Sequence, residues 1–449
     1  LKCLLSQIPL LSVNILTTNR ERKEGMFQTI IGTISSFMYS KLLVIILIGA
    51  GMYFTVRTRF PQVRLFKNAC GSVMEKPEDK KAISSFQALM VSTASRVGTG
   101  NIVGVSSAIC IGGFGSVFWM WVIAIIGSAS ALIESTLAQI YKKKGKDGSC
   151  YGGPAYYIEA ALHCRPLAIV FCVAMILTYA FGFNMLASYN LQSTFSVFSF
   201  YNAEMSPWII GGILAVLTGW CLLGGGSRIV KVTSMVVPVM GIAYIGISLL
   251  VVIINIQNVP AMFVRIFEEA FDFKAIFGAF SGSAMMQGIR RGLYSNEAGI
   301  GSAPNASTSA NVSHPVKQGL VQMLSVFIDT LLLCTATAMM CMSSGIDPAK
   351  ELQGAPWVQA SLQESLGSLG PVFITVAMVF FAFTTLLGNC FYCDNLLIYI
   401  HKKQPEKAFM KGFRLVLAIF LGAGMEMSLL WDLSDALMGL WHSLTFRLS

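Results

Sequence analysis

Apolar residues run through this chain in blocks too long for a globular core. They lie at 41–56, 82–112, 116–141, 166–195, 207–224, 229–256, 274–293, 317–343, 371–400, 409–424 and 429–449, with short polar gaps between. Several reach the roughly 20 residues that cross a bilayer as a helix. The alternating segments of about 10 residues that a membrane β-barrel needs do not occur. The pattern predicts an all-α polytopic membrane protein of about 11 transmembrane helices.

Two blocks carry residues unsuited to a spanning helix. In 82–112 the run TASRVGTGNIVGV, Thr93 to Val105, sets glycines at 98, 100 and 104 beside a threonine and an asparagine. Gly costs about 1 kcal/mol against Ala inside a helix, and polar side chains in hydrocarbon cost more. Five helices later Phe280-Ser281-Gly282-Ser283 repeats the feature, in a helix that must cross in the opposite sense. Interruptions at matching positions of opposed halves predict an inverted-repeat transporter. Non-helical backbone at membrane depth is tolerated only where it lines a cavity.

Such a break strands amide donors on one half-helix and carbonyl acceptors on the other. The first suits a carboxylate and the second a cation. A zwitterionic amino acid and a sodium ion satisfy both. The competing reading of Gly100 and Gly104 is a GxxxG-like packing face; the second break and its inverted sense weigh against it.

Charge then sets the topology. Only 12% of residues are charged against 55% hydrophobic, about half the charged share of a soluble protein. Lys and Arg number seven in 57–81, five in 142–165 and five in 401–414, but none in 196–206 and one in 344–370. This positive-inside alternation places the basic loops in the cytoplasm of a multi-pass protein of the cell (inner, plasma) membrane. It accounts for the net charge of +10 without a nucleic-acid partner; the lipid bilayer is the expected surroundings. Gly152 to Leu162 and Pro356 to Leu366 read as short amphipathic helices, one along the inner surface and one over an outer entrance. Cys390 and Cys393 form a CxxC with no second pair or nearby His to complete a zinc set.

The run Gly112 to Trp121, GGFGSVFWMW, continued to Gly127, closely resembles the signature of the alanine/glycine:cation symporter family. Ser116 stands where that pattern prefers Gly or Ala. VGTGNIVGV, GGPAYYIE, RRGLYSNEAGIGSAPN (Arg290 to Asn305) and HPVKQGL followed by FIDT (His314 to Thr330) resemble the same family in the same order. The resemblance covers roughly residues 40–440. It implies the leucine-transporter fold: a ten-helix inverted repeat preceded by one extra helix, with cation-coupled uptake of small neutral amino acids such as alanine and glycine. The expected organisation is an extension over 1–38 and a transporter domain over 39–449, with its first helix at 41–56, repeat one at 82–256 and repeat two at 274–449. Residues 1–25 lie outside the resemblance, with a natural start expected at Met26, and the last ten residues are too polar to finish a helix.

The resemblance also implies roles. Thr99, Gly100 and Asn101 offer backbone amides to the substrate carboxylate; Phe280, Ser281, Gly282 and Ser283 offer carbonyls to its ammonium, with Phe280 closing over it. Gln287 is a further polar contact. Ala94 and Val97 carbonyls, with the hydroxyls of Thr384 and Thr385, hold sodium, a co-transported ligand; no cofactor is implied. For an isolated Thr-Thr the alternative is a bond back to the preceding turn.

An acid inside an apolar run is a functional candidate by default. Glu134 and Asp394 lie near helix ends and read first as structural acids, whereas Asp329 sits well inside its block. Arg96, beside the break, reads as a gate or scaffold charge, and Asp329 as a gate or coupling residue. Asn184 and Ser188, spaced i,i+4, face either the pocket or a neighbouring helix.

Three functions compete. A sodium-coupled symporter leads; a proton-coupled transporter of the same fold would make Asp329 indispensable. A membrane serine protease would need a histidine facing Ser281 or Ser283, and none is so placed. ATP-driven transport lacks its GxxxxGK[ST] loop.

Overall fold

The computed structural model describes residues 44–77, 82–145, 150–272, 283–402, 409–410 and 412–413. The first described element is α1 (Val44–Arg57). The block at 82–112 is two helices, α2 (Ser85–Arg96) and α3 (Val105–Gly112), joined by a non-helical turn and a wide turn at Gly100–Gly104. Its start is fixed locally: Ser84 accepts from the Gln87 amide while the Gln87 side chain accepts from the Ser84 amide, a capping box. Helix α4 (Gly115–Ile140) returns across the molecule, and α5 (Pro154–Leu162) follows, started by Pro154. Proline at a first helical turn loses only a donor that has no partner there.

Next come α6 (Arg165–Val197), α7 (Ser206–Leu223) and α8 (Gly226–Ile254), each long and apolar enough to cross a membrane. Helix α9 (Val259–Ala270) precedes α10 (Ala284–Asn296) and α11 (Ala303–Ser307). The chain continues through α12 (Pro315–Ser343), α13 (Ala355–Leu366) and α14 (Leu369–His401). The two helices expected over 409–424 and 429–449 lie outside the described residues, apart from four positions. Helix α9 was hidden in the sequence because Arg265, Glu268 and Glu269 make it read as a polar gap.

The rods sort into an inner and an outer set. The apolar windows of α4, α6, α12 and α14 are 56–61% buried, against 33% for α7 and 28% for α8. Trp208, Ile213, Val216 and Trp220 of α7 are exposed, a surface that only lipid tolerates. At the centre α10 packs on α3, and α11 packs on α2. Two further wide turns, Leu177–Phe183 in α6 and Phe327–Cys334 in α12, distort inner helices. Such π-turns concentrate at functional sites.

Candidate substrate and cation site

The first break is held open by a side chain. Helix α2 ends at Val97, whose ψ of 85° leaves the helical region. The Gly98 amide then donates to Asn101 Oδ1 at 2.9 Å, so it does not continue the ladder to Ala94. Beyond it, Asn101 donates to Gly98, and Ile102 and Val103 both donate to Thr99. Among the described residues the amides of Thr99 and Gly100 meet no backbone carbonyl. The break therefore presents amides on one side and the carbonyls of Ala94 and Val97 on the other.

Asn101 joins this break to a buried acid. Its Nδ2 donates to Asp329 Oδ1 at 2.8 Å. The other carboxylate oxygen accepts from Ser295 and Thr330, both at 2.9 Å. Asn101, Asp329 and Thr330 are fully buried and Ser295 is nearly so. The junction lies within the wide turn of α12, so three elements meet on one carboxylate. On the other flank Asn190 donates to the Thr99 hydroxyl at 3.1 Å. A Cβ built on Gly100 would lie 2.7 Å from the Tyr294 ring. That ring stands edge-on to Phe183 at 5.0 Å, and Phe183 to Tyr179 at 4.9 Å.

A second interruption lies beside the first. Helix α10 ends at Asn296, and Glu297, Gly299 and Gly301 follow with φ of 49°, 78° and 79° before α11 begins. Glycine reaches this region without strain, and Glu297 is held there by contacts. Ser302 donates to one of its oxygens at 2.7 Å and the Ser95 hydroxyl lies 3.3 Å from the other, while the Gly301 amide donates to Glu134 Oε2 at 2.8 Å.

The sequence placed the second interruption at Phe280–Ser283. Phe280, Ser281 and Gly282 lie outside the described residues, while Ser283 caps the start of α10 by accepting from the Met286 amide. A further interruption, Glu297–Ser302, lies beside the first, because α10 and α11 flank it and pack on α3 and α2 respectively.

The remaining candidates separate. Thr385 Oγ1 lies where a Cβ on Gly98 would fall, 2.0 Å away from that position, and it donates to the Phe381 carbonyl. The Thr384 hydroxyl instead donates to Phe380 and reaches Met240 Sδ at 3.6 Å, on α8. Gln287 packs against Gly112, about two turns up α10 from Tyr294 and away from the break. Arg96 donates to Ser325 at 2.9 Å and Gln322 at 3.4 Å. Asn184 accepts from Asn389, which itself accepts from Ser95 at 2.7 Å.

Sequence reasoning passed over Asn190, Tyr294, Ser295 and Glu297. The one available signal was the pair Gly299 and Gly301 beside Asn296 and Glu297, within a run quoted only for its resemblance.

The sequence model described as the sodium:alanine symporter family matches residues 24–446. A probable sodium/glutamine symporter of Bacillus subtilis is 40% identical over 420 residues, 93% of this chain and 86% of that protein. A sodium/alanine symporter of Methanococcus maripaludis is 35% identical over 424 residues, 92% of each. The crystal structure of MhsT in complex with L-phenylalanine superposes with a TM-score of 0.59 at 14% identity, over 82% of this chain and 89% of that one. This likeness carries the leucine-transporter fold. The chain thus belongs to the sodium:alanine symporter family and is a multi-pass, cation-coupled amino-acid symporter, not an enzyme.

Proposed function

We propose that the protein couples inward sodium movement to uptake of a small neutral amino acid, alanine or glycine, by alternating access across the cell membrane, with its basic loops in the cytoplasm. The observation that carries this reading is the pair of adjacent broken helices sharing one buried polar junction. The Thr99 and Gly100 amides, which meet no backbone carbonyl, receive the substrate carboxylate. The backbone at Glu297–Ser302 faces its ammonium, a role first expected of Phe280–Ser283. The Ala94 and Val97 carbonyls with the Thr385 hydroxyl form a neutral oxygen set of the kind that hard cations accept. Asp329, joined to the break through Asn101, supplies the negative charge that ties cation to substrate.

The Tyr294 ring closes directly against Gly100. We place alanine and glycine ahead of glutamine, the substrate in the name of one relative, on the sequence resemblance. A proton-coupled reading rests on Asp329 alone, a fully buried acid with three hydrogen-bond donors.

The test is uptake of radiolabelled alanine into proteoliposomes under an inward sodium gradient, and separately under a proton gradient without sodium. Concentrative uptake is expected only with sodium, with competition strong from glycine and weak from glutamine. Accumulation driven by the proton gradient alone would transfer the coupling role to Asp329 protonation.

A further inference from the structure

Three acids and one base are sealed around the breaks. Asp329, Glu297, Glu134 and Arg96 are each no more than 5% exposed. Asp329 accepts on both oxygens, from Asn101 on one and from Ser295 and Thr330 on the other. Glu297 accepts from Ser302 on one oxygen, and the Ser95 hydroxyl lies 3.3 Å from the other. Glu134 differs: its carboxylate has only backbone amides beside it, with Gly301 donating to Oε2 and Gly299 close by, and among the described residues no donor meets Oε1 at hydrogen-bond geometry.

Three carboxylates against one guanidinium leave two negative charges uncompensated, a balance that the buried Asp394 and Arg291 leave unchanged, in a medium where that is expensive. The coupling cation at the first break, which Asp329 reaches through Asn101, answers one. Something positive must answer the other, and Glu134 Oε1 is the carboxylate oxygen that no donor meets among the described residues.

We propose that Glu134 binds a proton at Oε1 when the cytoplasmic side is closed and returns it to the cytoplasm when that side opens. The inference rests on the symporter reading and adds a proton-dependent step to it. Chemistry favours a proton over a second metal ion. The Arg96 guanidinium interacts with both Glu134 and Glu297 and would repel a metal ion, which also needs several oxygens that this corner does not gather. A proton needs only the one oxygen.

The ionisable groups facing Glu134 come from every side. Arg96 stands on α2, Glu297 in the second break, Tyr157 on α5 and Tyr392 on α14. Asp329 on α12 and Tyr179 on α6 lie one shell further, linked to Arg96 and Glu297 respectively. None of them donates to Oε1. Glu134 lies six residues before the end of α4, about 9 Å from that end at 1.5 Å per residue. Tyr157 of α5, the helix that follows α4, is buried and interacts with Glu134. Withdrawal of α2 and α5 would admit water, and an acid in water gives up its proton at neutral pH. Closing again requires a proton from the same side, so no net proton crosses the membrane.

Sodium-driven alanine uptake in right-side-out membrane vesicles tests this, with luminal pH stepped at fixed external pH and then the reverse. Wild-type uptake should fall as luminal pH rises, by up to about tenfold per pH unit, the limit for one proton. It should ignore external pH. Glu134→Gln mimics the protonated acid and keeps an acceptor for Gly301, so it should retain sodium-driven uptake and lose the luminal dependence. A flat wild-type luminal profile, a dependence on external pH, or an unchanged slope in Glu134→Gln overturns the proposal. If the variant does not fold, the two wild-type profiles decide. Absence of sodium-driven uptake at every pH sinks the symporter reading and this inference with it, whereas normal uptake with a flat profile sinks only the inference.

Discussion

At the residue scale, neighbours in sequence part company. Thr384 and Thr385 look equivalent in the string, and both bond back to the preceding turn. Adjacent helical positions point about 100° apart, so only one can face the break. Thr385 does so; Thr384 faces Met240. Because the Thr385 proton goes to Phe381, its oxygen lone pairs remain for a cation. Thr385→Val should therefore raise the sodium concentration needed for half-maximal uptake by roughly ten- to a hundredfold, the equivalent of about 1–3 kcal/mol for one lost polar contact. Thr384→Val should shift it less than about twofold, within the range of a tolerated substitution. Equal effects of the two changes would remove Thr385 from the sodium site. The sequence located this pair but could not choose between them, since the choice depends on how α14 is rotated against α2.

At the element scale, the first break was legible because three glycines and an asparagine contradict a spanning helix within a few residues. The second, expected at Phe280–Ser283, falls outside the described residues except for Ser283, while the interruption at Glu297–Ser302 went unforeseen because its glycines sit in a run quoted only for its resemblance. The signature GGFGSVFWMW identifies the family yet lies away from the breaks. It forms the seat of α9: Glu269 accepts from the Phe114 amide, Trp119 Nε1 donates to Ala270 at 3.0 Å, and Phe118 packs on Phe267 and Phe271. Arg265 lies 4.0 Å over the Phe114 ring. Gly100 shows how packing changes an expectation drawn from propensity. Alanine there raises helix propensity, which from sequence alone predicts lost binding with unchanged or raised stability. Its methyl group would instead meet the Tyr294 ring at 2.7 Å. Gly100→Ala should thus lower stability by about 1–3 kcal/mol, as overpacking does, as well as weakening alanine binding. Adding Tyr294→Leu should recover much of the stability. Melting temperatures of the single and double variants check this, and a double variant no more stable than Gly100→Ala would place the strain elsewhere.

At the scale of the whole molecule, both faces carry latches. On the side that the charge pattern makes outer, Ser106 Oγ donates to the Gly354 carbonyl at 2.7 Å and accepts from its amide at 3.1 Å, pinning the start of α13 to α3. A cavity of about 230 Å³ lies beneath, lined by Val103, Asn190, Gln192 and Tyr201 among others. On the inner side Tyr399 donates to Glu159 at 2.6 Å, and Arg165 sits 3.7 Å from the same carboxylate, tying α5 to α14. Alternating access requires the two latches to open in turn, so weakening either should shift one shared equilibrium in opposite directions. Ser106→Ala should favour the outward-open form and tighten apparent alanine affinity from outside. Tyr399→Phe should favour the inward-open form and weaken it, because only a fraction of molecules then present a competent site. A hydrogen bond to a charged group contributes about 1.5–3 kcal/mol, which allows shifts of roughly tenfold or more, and the double variant should lie near wild type. Alanine binding to right-side-out vesicles at fixed sodium measures all four proteins. Two single variants that shift affinity in the same direction, or a double variant worse than both, would show that these contacts stabilise the fold without gating it.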